Sequence, residues 1–552
     1  MDPIKSPLLT PPKPEEGLSP GLTSTTASSA SGIRVQRVRK ASFRFSECDG
    51  DEDLPQFQGS RWVQYFAALA ANMGALALGT VLSWSAVALP DLRRDGSIPM
   101  TLTEESWIGS IITLGAVASG PAAGLAIEKL GRRMSMLVLT IPFLAGWLLI
   151  FFANGVTMIL IGRFITGFCS GVYAVAAPIF TAEMADVSIR GTLCAGFDMM
   201  ISVGILLIYV YGAFVSWRMQ ALISAILPVI IFVMMLFVPE SPRYLVQKGK
   251  TMEATSALLR FRGAYFKEQV DPELRVLKIS VRNSQEKSCG WRDLLELPVL
   301  RPISIAFIIY FFQVFSGIDP VLFYTVDIFA SSGATIDEYY STIIIGSVQV
   351  VFATAGAFLV EYFGRRILLM ISEMSMVCSL SVLGYYFFLK QQNGGVSPEG
   401  LGWLPLTSLI IYVVAYSVGV GPVGYMIMGE ILPHHVKGIA GCVLTSAKWF
   451  MSFAMTKFFL DIIDLLGNAG CYWLFGGFCL LGFFYIFFFV PETKGKTLDE
   501  IQQEFANSYV RSPRRSQSGT DARTPLLSPA DSSYSTSTNP AGYQSLREGN
   551  YA

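Results

Sequence analysis

Charge is scarce in this chain: Asp, Glu, Lys and Arg make up 15% of residues, against 52% hydrophobic. So little charge cannot cover the surface of a water-soluble chain of this length, and the apolar runs reach the roughly 20 residues needed to cross a bilayer. Basic excess is also lacking, with 41 Lys+Arg balancing 41 Asp+Glu, which removes any reason to expect nucleic acid as a partner. Only two histidines occur, the adjacent His434 and His435, in a loop where solvation is the expected state. The eight cysteines (Cys48, Cys169, Cys194, Cys289, Cys378, Cys442, Cys471, Cys479) lack metal-ligand or disulfide spacing, so they read as small hydrophobes. No metal or other cofactor is expected, and an enzyme is excluded for want of a nucleophile–base arrangement or nucleotide loop. The first 60 residues hold no apolar core of a signal peptide, so the first span is expected to direct insertion. No Asn-x-Ser/Thr acceptor occurs, which excludes an N-glycan.

What is present is a set of apolar spans. Six fall at about 62–83, 106–127, 134–152, 157–178, 193–213 and 219–238, and six more at about 300–329, 339–360, 367–389, 404–428, 439–460 and 469–490. The fold expected is therefore an all-α membrane protein of twelve transmembrane helices in two six-helix halves. The domains expected are a disordered tail at 1–60, a first half at 61–238, a linker at 239–299, a second half at 300–490 and a mostly disordered tail at 491–552. The tails are rich in Ser, Thr, Pro and Gly and cannot bury enough apolar surface to fold. The linker has helical composition at Thr251 to Arg262 and Pro272 to Val281, which predicts short helices against the membrane face; a solvated linker is the alternative.

Lys and Arg crowd one side. Both tails, the linker and two Gly-Arg-Arg turns carry them, while the other side holds little beyond Arg93, Arg94, Arg218 and Lys390. The positive-inside rule makes the crowded side, with both termini, cytoplasmic. The two turns belong to a repeat. GLAIEKLGRR from Gly124 to Arg133 returns as GAFLVEYFGRR from Gly356 to Arg366. Glu183 precedes Arg190-Gly191 as Glu430 precedes Lys437-Gly438, and Pro239-Glu240 returns as Pro491-Glu492. Three devices repeated in order indicate parallel halves that rock about a site between them.

The chain resembles the sugar porter family of the major facilitator superfamily. The match lies in GLAIEKLGRR, GRFITGFCSG (Gly162 to Gly171), EMADVSIRG (Glu183 to Gly191), PESPRYL, FFQVFSGID (Phe311 to Asp319), GVGPVGYMIMGEILP (Gly419 to Pro433) and PETKGKTLDEI, covering about residues 60–505. FYTVDIF (Phe323 to Phe329) and the TKFF at Thr456 to Phe459 are most similar to arthropod facilitated trehalose transporters and intracellular-type facilitative glucose transporters. The resemblance implies the major facilitator fold, alternating access and a sugar as substrate.

Two residue sets follow. The first is a conformational latch of Glu128, Arg132, Arg133, Arg163, Glu183, Arg190, Glu240, Glu361, Arg365, Arg366, Glu430 and Glu492. Bidentate Arg–carboxylate pairs among them are expected to tie the halves together and to stabilise the outward-open state. Plain membrane anchoring by the arginines is the alternative.

The second set lies inside apolar spans, where polar residues are costly and face a cavity. In the seventh span Gln313 offers an amide to hydroxyls, Ser316-Gly317 and Pro320 invite a break, and Asp319 sits at that break. The resemblance implies that Gln313 begins a paired-glutamine motif whose second member is here Val314, that Asp319 replaces an asparagine, that Tyr324 is a gating tyrosine and that Gln349 contacts sugar. It further implies that Asp198 replaces a glutamine, Tyr425 a tryptophan, and Lys448 an asparagine that precedes Trp449.

The charges need an account. Pairing of Lys448 with Asp198 or Asp319 is expected to offset their burial; proton coupling and a sugar bearing a charged or amino group are the alternatives. The first span lacks the acid that proton-coupled members of the resembled family carry there, so the resemblance implies facilitative uniport, with trehalose or a hexose such as glucose as the substrate expected. A proton-coupled symporter and a transport-inactive sugar sensor are the rival functions. The expected partners are the sugar, the lipid bilayer and sorting adaptors, the last through Tyr543-Gln-Ser-Leu546 and the Pro-Leu-Leu at Pro7 and Pro525. The expected address is the cell membrane, with an endosomal or lysosomal membrane as alternative. Ser42 in RKASF fits a basophilic kinase.

Overall fold

In hydrocarbon every backbone N–H and C=O must be satisfied within the chain, so long apolar runs become helices. The structure, a computed structural model, describes residues 60–286, 297–333, 335–433, 436–494 and 500. The sorting motifs and Ser42 in the tails, and His434 and His435, lie outside the described residues. Among these no strand occurs, and eleven helices are long and apolar enough to cross a membrane. The last is two spans merged, because Gly467 has φ 71 and ψ 166 inside it, so the spans number twelve.

The first half is α1 (Trp62–Asp95), α2 (Leu102–Leu130), α3 (Arg132–Phe151), α4 (Val156–Met184), α5 (Arg190–Gly212) and α6 (Trp217–Leu236). Short helices α7 (Pro242–Gln247), α8 (Thr251–Arg262) and α9 (Asp271–Glu286) form the linker. In the second half α10 (Leu297–Phe315), α11 (Ile318–Phe323) and α12 (Thr325–Ser332) build the seventh span. Then come α13 (Glu338–Phe363), α14 (Arg365–Gln392), α15 (Leu404–Val418) with α16 (Val420–Ile431), and α17 (Lys437–Phe489). The end of the bundle that carries α7 to α9 is called the linker face below, and the other end the mouth face.

Tight packing depends on small residues, since lipid supplies no hydrophobic force between helices. Helices α1 and α5 touch backbone to backbone. A Cβ on Gly79 would stand 2.1 Å from the Ile201 carbonyl oxygen, and one on Gly204 2.0 Å from that of Leu76. Along the boundary between halves, α2 packs on α17 and α5 on α13.

The linker is docked rather than free. Arg260 donates to the Phe237 carbonyl at 2.6 Å, Arg262 to that of Met184 at 2.9 Å, and the Tyr244 hydroxyl to that of Lys129 at 2.8 Å. All three acceptors lie at or just beyond C-termini of spans in the first half, where helix carbonyls lack intrahelical partners.

Candidate functional site

At the linker face the repeated motifs make the same structure twice. Arg132 opens α3 and pairs with Glu183 at the end of α4, at 2.8 Å. The Glu240 carboxylate accepts from the backbone N–H groups of Arg132, Arg133 and Met134, a negative charge on the exposed amides of a helix N-terminus. Arg133 caps the other way, donating to the Met235 and Leu236 carbonyls at the end of α6. In the second half Arg365 pairs with Glu430 at 2.8 Å, Glu492 accepts from the amides of Arg365 and Arg366, and Arg366 donates to the Phe487 carbonyl.

Every one of these pairs closes within one half. The expectation that they tie the halves together is corrected, because each arginine begins a helix beside the acid that ends another helix of the same bundle. Arg190 donates to the Ala185 carbonyl at 3.2 Å, and Glu128 is exposed on the last turn of α2. The side chain of Glu361 lies outside the described residues. Arg163 is not at this face at all. It lies seven residues into α4, which starts at the mouth face, and is fully buried, donating to the Val81 and Ile108 carbonyls with its guanidinium over Trp84.

Between the faces, two broken helices meet. Gly317, at φ 89, separates α10 from α11, and a side chain there would strike the ring of Phe475. Asp319 therefore falls in the first turn of α11, half-buried. The tenth span breaks at Gly419 (φ -118, ψ -84). Gln313 repairs this break: its Nε2 donates to the carbonyls of Val420 and Gly421, and to the Tyr416 hydroxyl at 3.2 Å. Ser372 completes the repair, donating to Ala415 and accepting from the Val420 amide. The Gln313 amide donor is thus committed to structure, while its buried Oε1 has no partner among the described residues. Gln349 on α13 is in the same position, buried with an unpartnered Oε1.

Lys448 and Tyr425 prove to be one device. The lysine Nζ donates to the Tyr425 hydroxyl at 2.7 Å and lies 4.2 Å from that ring's centroid and 5.3 Å from Tyr310's. Hydroxyl and π faces together hold the ammonium, so the expected ion pair with Asp198 or Asp319 does not form. Both carboxylates still feel Lys448 at longer range, and Asp319 faces the Ser452 hydroxyl. Asp198 on α5 is deeply embedded in protein yet solvent-accessible, as is the wall of a cavity. Trp449, next along α17, lies in a crevice lined by Leu78 of α1, Ile112 of α2 and Gly167 of α4.

At the mouth face the halves are bound to each other. Arg93 of α1 bridges Glu105 of α2 at 3.2 Å and Asp327 of α12 at 2.5 Å. Arg94 pairs with Glu338 of α13 at 2.8 Å, and Lys457 of α17 donates to Ser106 of α2 at 2.5 Å. Beneath them Tyr324 is buried and stacked on Phe459, its hydroxyl against Gly109 of α2, where a Cβ would stand 2.5 Å away. The Tyr209 hydroxyl of α5 donates to the Leu322 carbonyl. These contacts close the mouth face between the halves.

The family model described as Sugar (and other) transporter matches residues 72–505. The chain belongs to this sugar transporter family. The transporter is 40% identical over 454 residues to the facilitated trehalose transporter Tret1 of Polypedilum vanderplanki, covering 82% of this chain and 89% of that protein. It is 40% identical over 454 residues to Trehalose transporter 1 of Drosophila melanogaster, covering 82% of this chain and 52% of that one. The chain thus spans about half the length of most of the curated relatives it matches. Among solved structures it is similar to the xylose transporter XylE from E. coli in a partially occluded inward open conformation, with TM-score 0.68 and 23% identity over 79% of this chain and 100% of that one. XylE bound to 6-bromo-6-deoxy-D-glucose gives TM-score 0.66 at 24% identity, over 80% and 99%. These likenesses show the fold.

Sequence reasoning missed Tyr416, Lys457 and the contacts of Arg93 with Glu105 and Asp327. Tyr416 bonds Gln313 and lies near both aspartates; the Gly-x-Gly-Pro break beside it was the available signal. Arg93 was visible as a cation on a face poor in them, but its acids Glu105 and Asp327 are distant in sequence. Lys457 carried no signal apart from its TKFF motif.

Proposed function

We propose that this protein moves a sugar, trehalose or a hexose such as glucose, across the membrane by alternating access, as a facilitative uniporter. The observation that carries the reading is the ion-paired seam between the halves at the mouth face, beneath which both halves carry polar residues inside apolar spans: Asp198 in the first, Gln313, Asp319, Gln349, Tyr425, Lys448 and Trp449 in the second. A site shared by two bodies whose contacts differ at their two ends is what rocking requires. The crowding of Lys and Arg at the linker face supports a cytoplasmic linker, and with it an inward-facing state here. Tyr324 acts as the gate, closed against Gly109.

Uniport is supported by the relatives named as facilitated trehalose transporters and by α1, whose buried polar residues Gln64, Asn72, Thr80, Ser83 and Ser85 include no acid. The linker-face arginines and acids keep each six-helix half rigid. The proposed domains are the two halves at 61–238 and 300–490, joined by the linker at 239–299 and flanked by cytoplasmic tails. The cell membrane is the proposed address, with sorting adaptors on the tails able to redirect the protein to endosomes.

The test is uptake of labelled trehalose and of labelled glucose into liposomes bearing the full chain, at mildly acidic and at neutral external pH. Electrically silent flux that ignores pH supports uniport. Acid-stimulated, electrogenic flux would overturn it in favour of a symporter, and no flux of any sugar would leave the sensor.

A further inference from the structure

Hydrogen-bond accounting in the cavity is lopsided. The Lys448 ammonium gives one proton to the Tyr425 hydroxyl and lies over two rings, and the Gln313 amide donor is taken by the α15–α16 break. Open acceptors include the buried Oε1 atoms of Gln313 and Gln349, and the carboxylates of Asp198 and Asp319, which form no ion pair among the described residues. Only Asp319 has a hydroxyl, that of Ser452, facing it. A hydroxyl satisfies one acceptor with one proton, whereas an ammonium offers three and brings the charge that two carboxylates against one lysine lack.

We propose that Asp198 and Asp319 are specificity-determining residues that select an amino sugar, its protonated amine held between the two halves. The inference rests on the sugar-transport reading and names the substrate class of the same cavity. Asp198 on α5 and Asp319 on α11 belong to opposite halves, and both act on Lys448 and Tyr416, which places them about one region where a cationic group would meet both. Neutral sugars fill the same acceptors more weakly, because hydrogen bonds between charged partners are roughly twice as strong as neutral ones. Anionic sugars are repelled by the surplus carboxylate.

The experiment measures the thermal unfolding midpoint of the purified full chain in detergent against rising glucosamine, glucose and glucuronate, just below neutral pH. Glucosamine is expected to stabilise at about a tenfold lower concentration than glucose, the ratio of a charge-assisted bond to a neutral one, and glucuronate least. In Asp198→Asn and Asp319→Asn that advantage shrinks to under about threefold. The readout is a ratio of two sugars on one protein, so a general loss of stability in a variant cancels. Glucose stabilising as well as glucosamine, or an advantage unchanged in both variants, overturns the inference and leaves sugar transport standing. Stabilisation by none of the three overturns both.

Discussion

Replacing Arg93 by glutamine removes the one cation shared by Glu105 and Asp327 at the sealed mouth and leaves two carboxylates facing each other. An exposed pair contributes about 0.2–1 kcal/mol, and stranding a buried charge costs about 3–5 kcal/mol. Arg93 is 44% exposed and Glu105 6%, so solvent screening on the arginine side places the loss between these limits, at about 2 kcal/mol. The loss falls on the mouth-closed state alone, because opening separates α1 from α12. A shift of that size raises the ratio of mouth-open to mouth-closed protein roughly thirtyfold. Ser110, fully buried on α2 below the mouth, reports it. With native cysteines replaced and Ser110→Cys introduced, an impermeant maleimide applied from the mouth side should label Arg93→Gln roughly thirtyfold faster than the parent. Exchanging the charges, Arg93→Asp with Asp327→Arg, should restore most of the parent rate. Labelling within twofold of the parent in Arg93→Gln would refute the assignment of this pair as the mouth lock.

Three further outcomes are expected. Arg132→Ala strands Glu183, whose side chain is 11% exposed, and should lower the unfolding midpoint by the equivalent of about 3 kcal/mol while changing Ser110→Cys labelling less than about threefold; a large change in labelling would show that the pair does span the halves after all. Gly204→Ala forces α1 off α5 and should cost about 1–3 kcal/mol, read as a lower midpoint, with an unchanged midpoint refuting the backbone contact. Tyr425→Phe removes the hydroxyl that holds Lys448, freeing the ammonium to pair with a carboxylate; the glucosamine advantage over glucose should fall at least about threefold with both aspartates intact, and an unchanged advantage would refute the role of Tyr425.

The fold was legible because span length and the repeat are properties of one strand of sequence. GLAIEKLGRR and GAFLVEYFGRR mark the same helix–turn–helix edge, and both arginine pairs do meet the acids named with them. Which half those acids belonged to was not legible. Glu183 and Arg132 are 51 residues apart and Arg365 and Glu430 are 65 apart, and nothing in spacing says whether such a contact lies inside a bundle or across two. The break at Ser316-Gly317 was readable from residue type, whereas the use of Gln313 to repair a second break in α15–α16 required the packing of two spans. The charges in the cavity show the same boundary. An acid and a lysine in one membrane cavity suggest an ion pair, but a tyrosine hydroxyl and two rings competed for the ammonium and took it.

The two ends of the molecule use arginine for opposite purposes. At the linker face Arg132 and Arg365 each join helices of one half; at the mouth face Arg93 and Arg94 join helices of different halves, which the proposed cycle has to separate. A lock of about 2 kcal/mol at the mouth favours the mouth-closed state. Substrate has to offset that bias to bring the mouth open, and it is able to do so only by binding the two states differently. Ligand groups on both halves meet that requirement, because their separation changes as the halves rock. Asp198 on α5 and Asp319 on α11 are such a pair, and a ligand that touches one half alone would have no such lever.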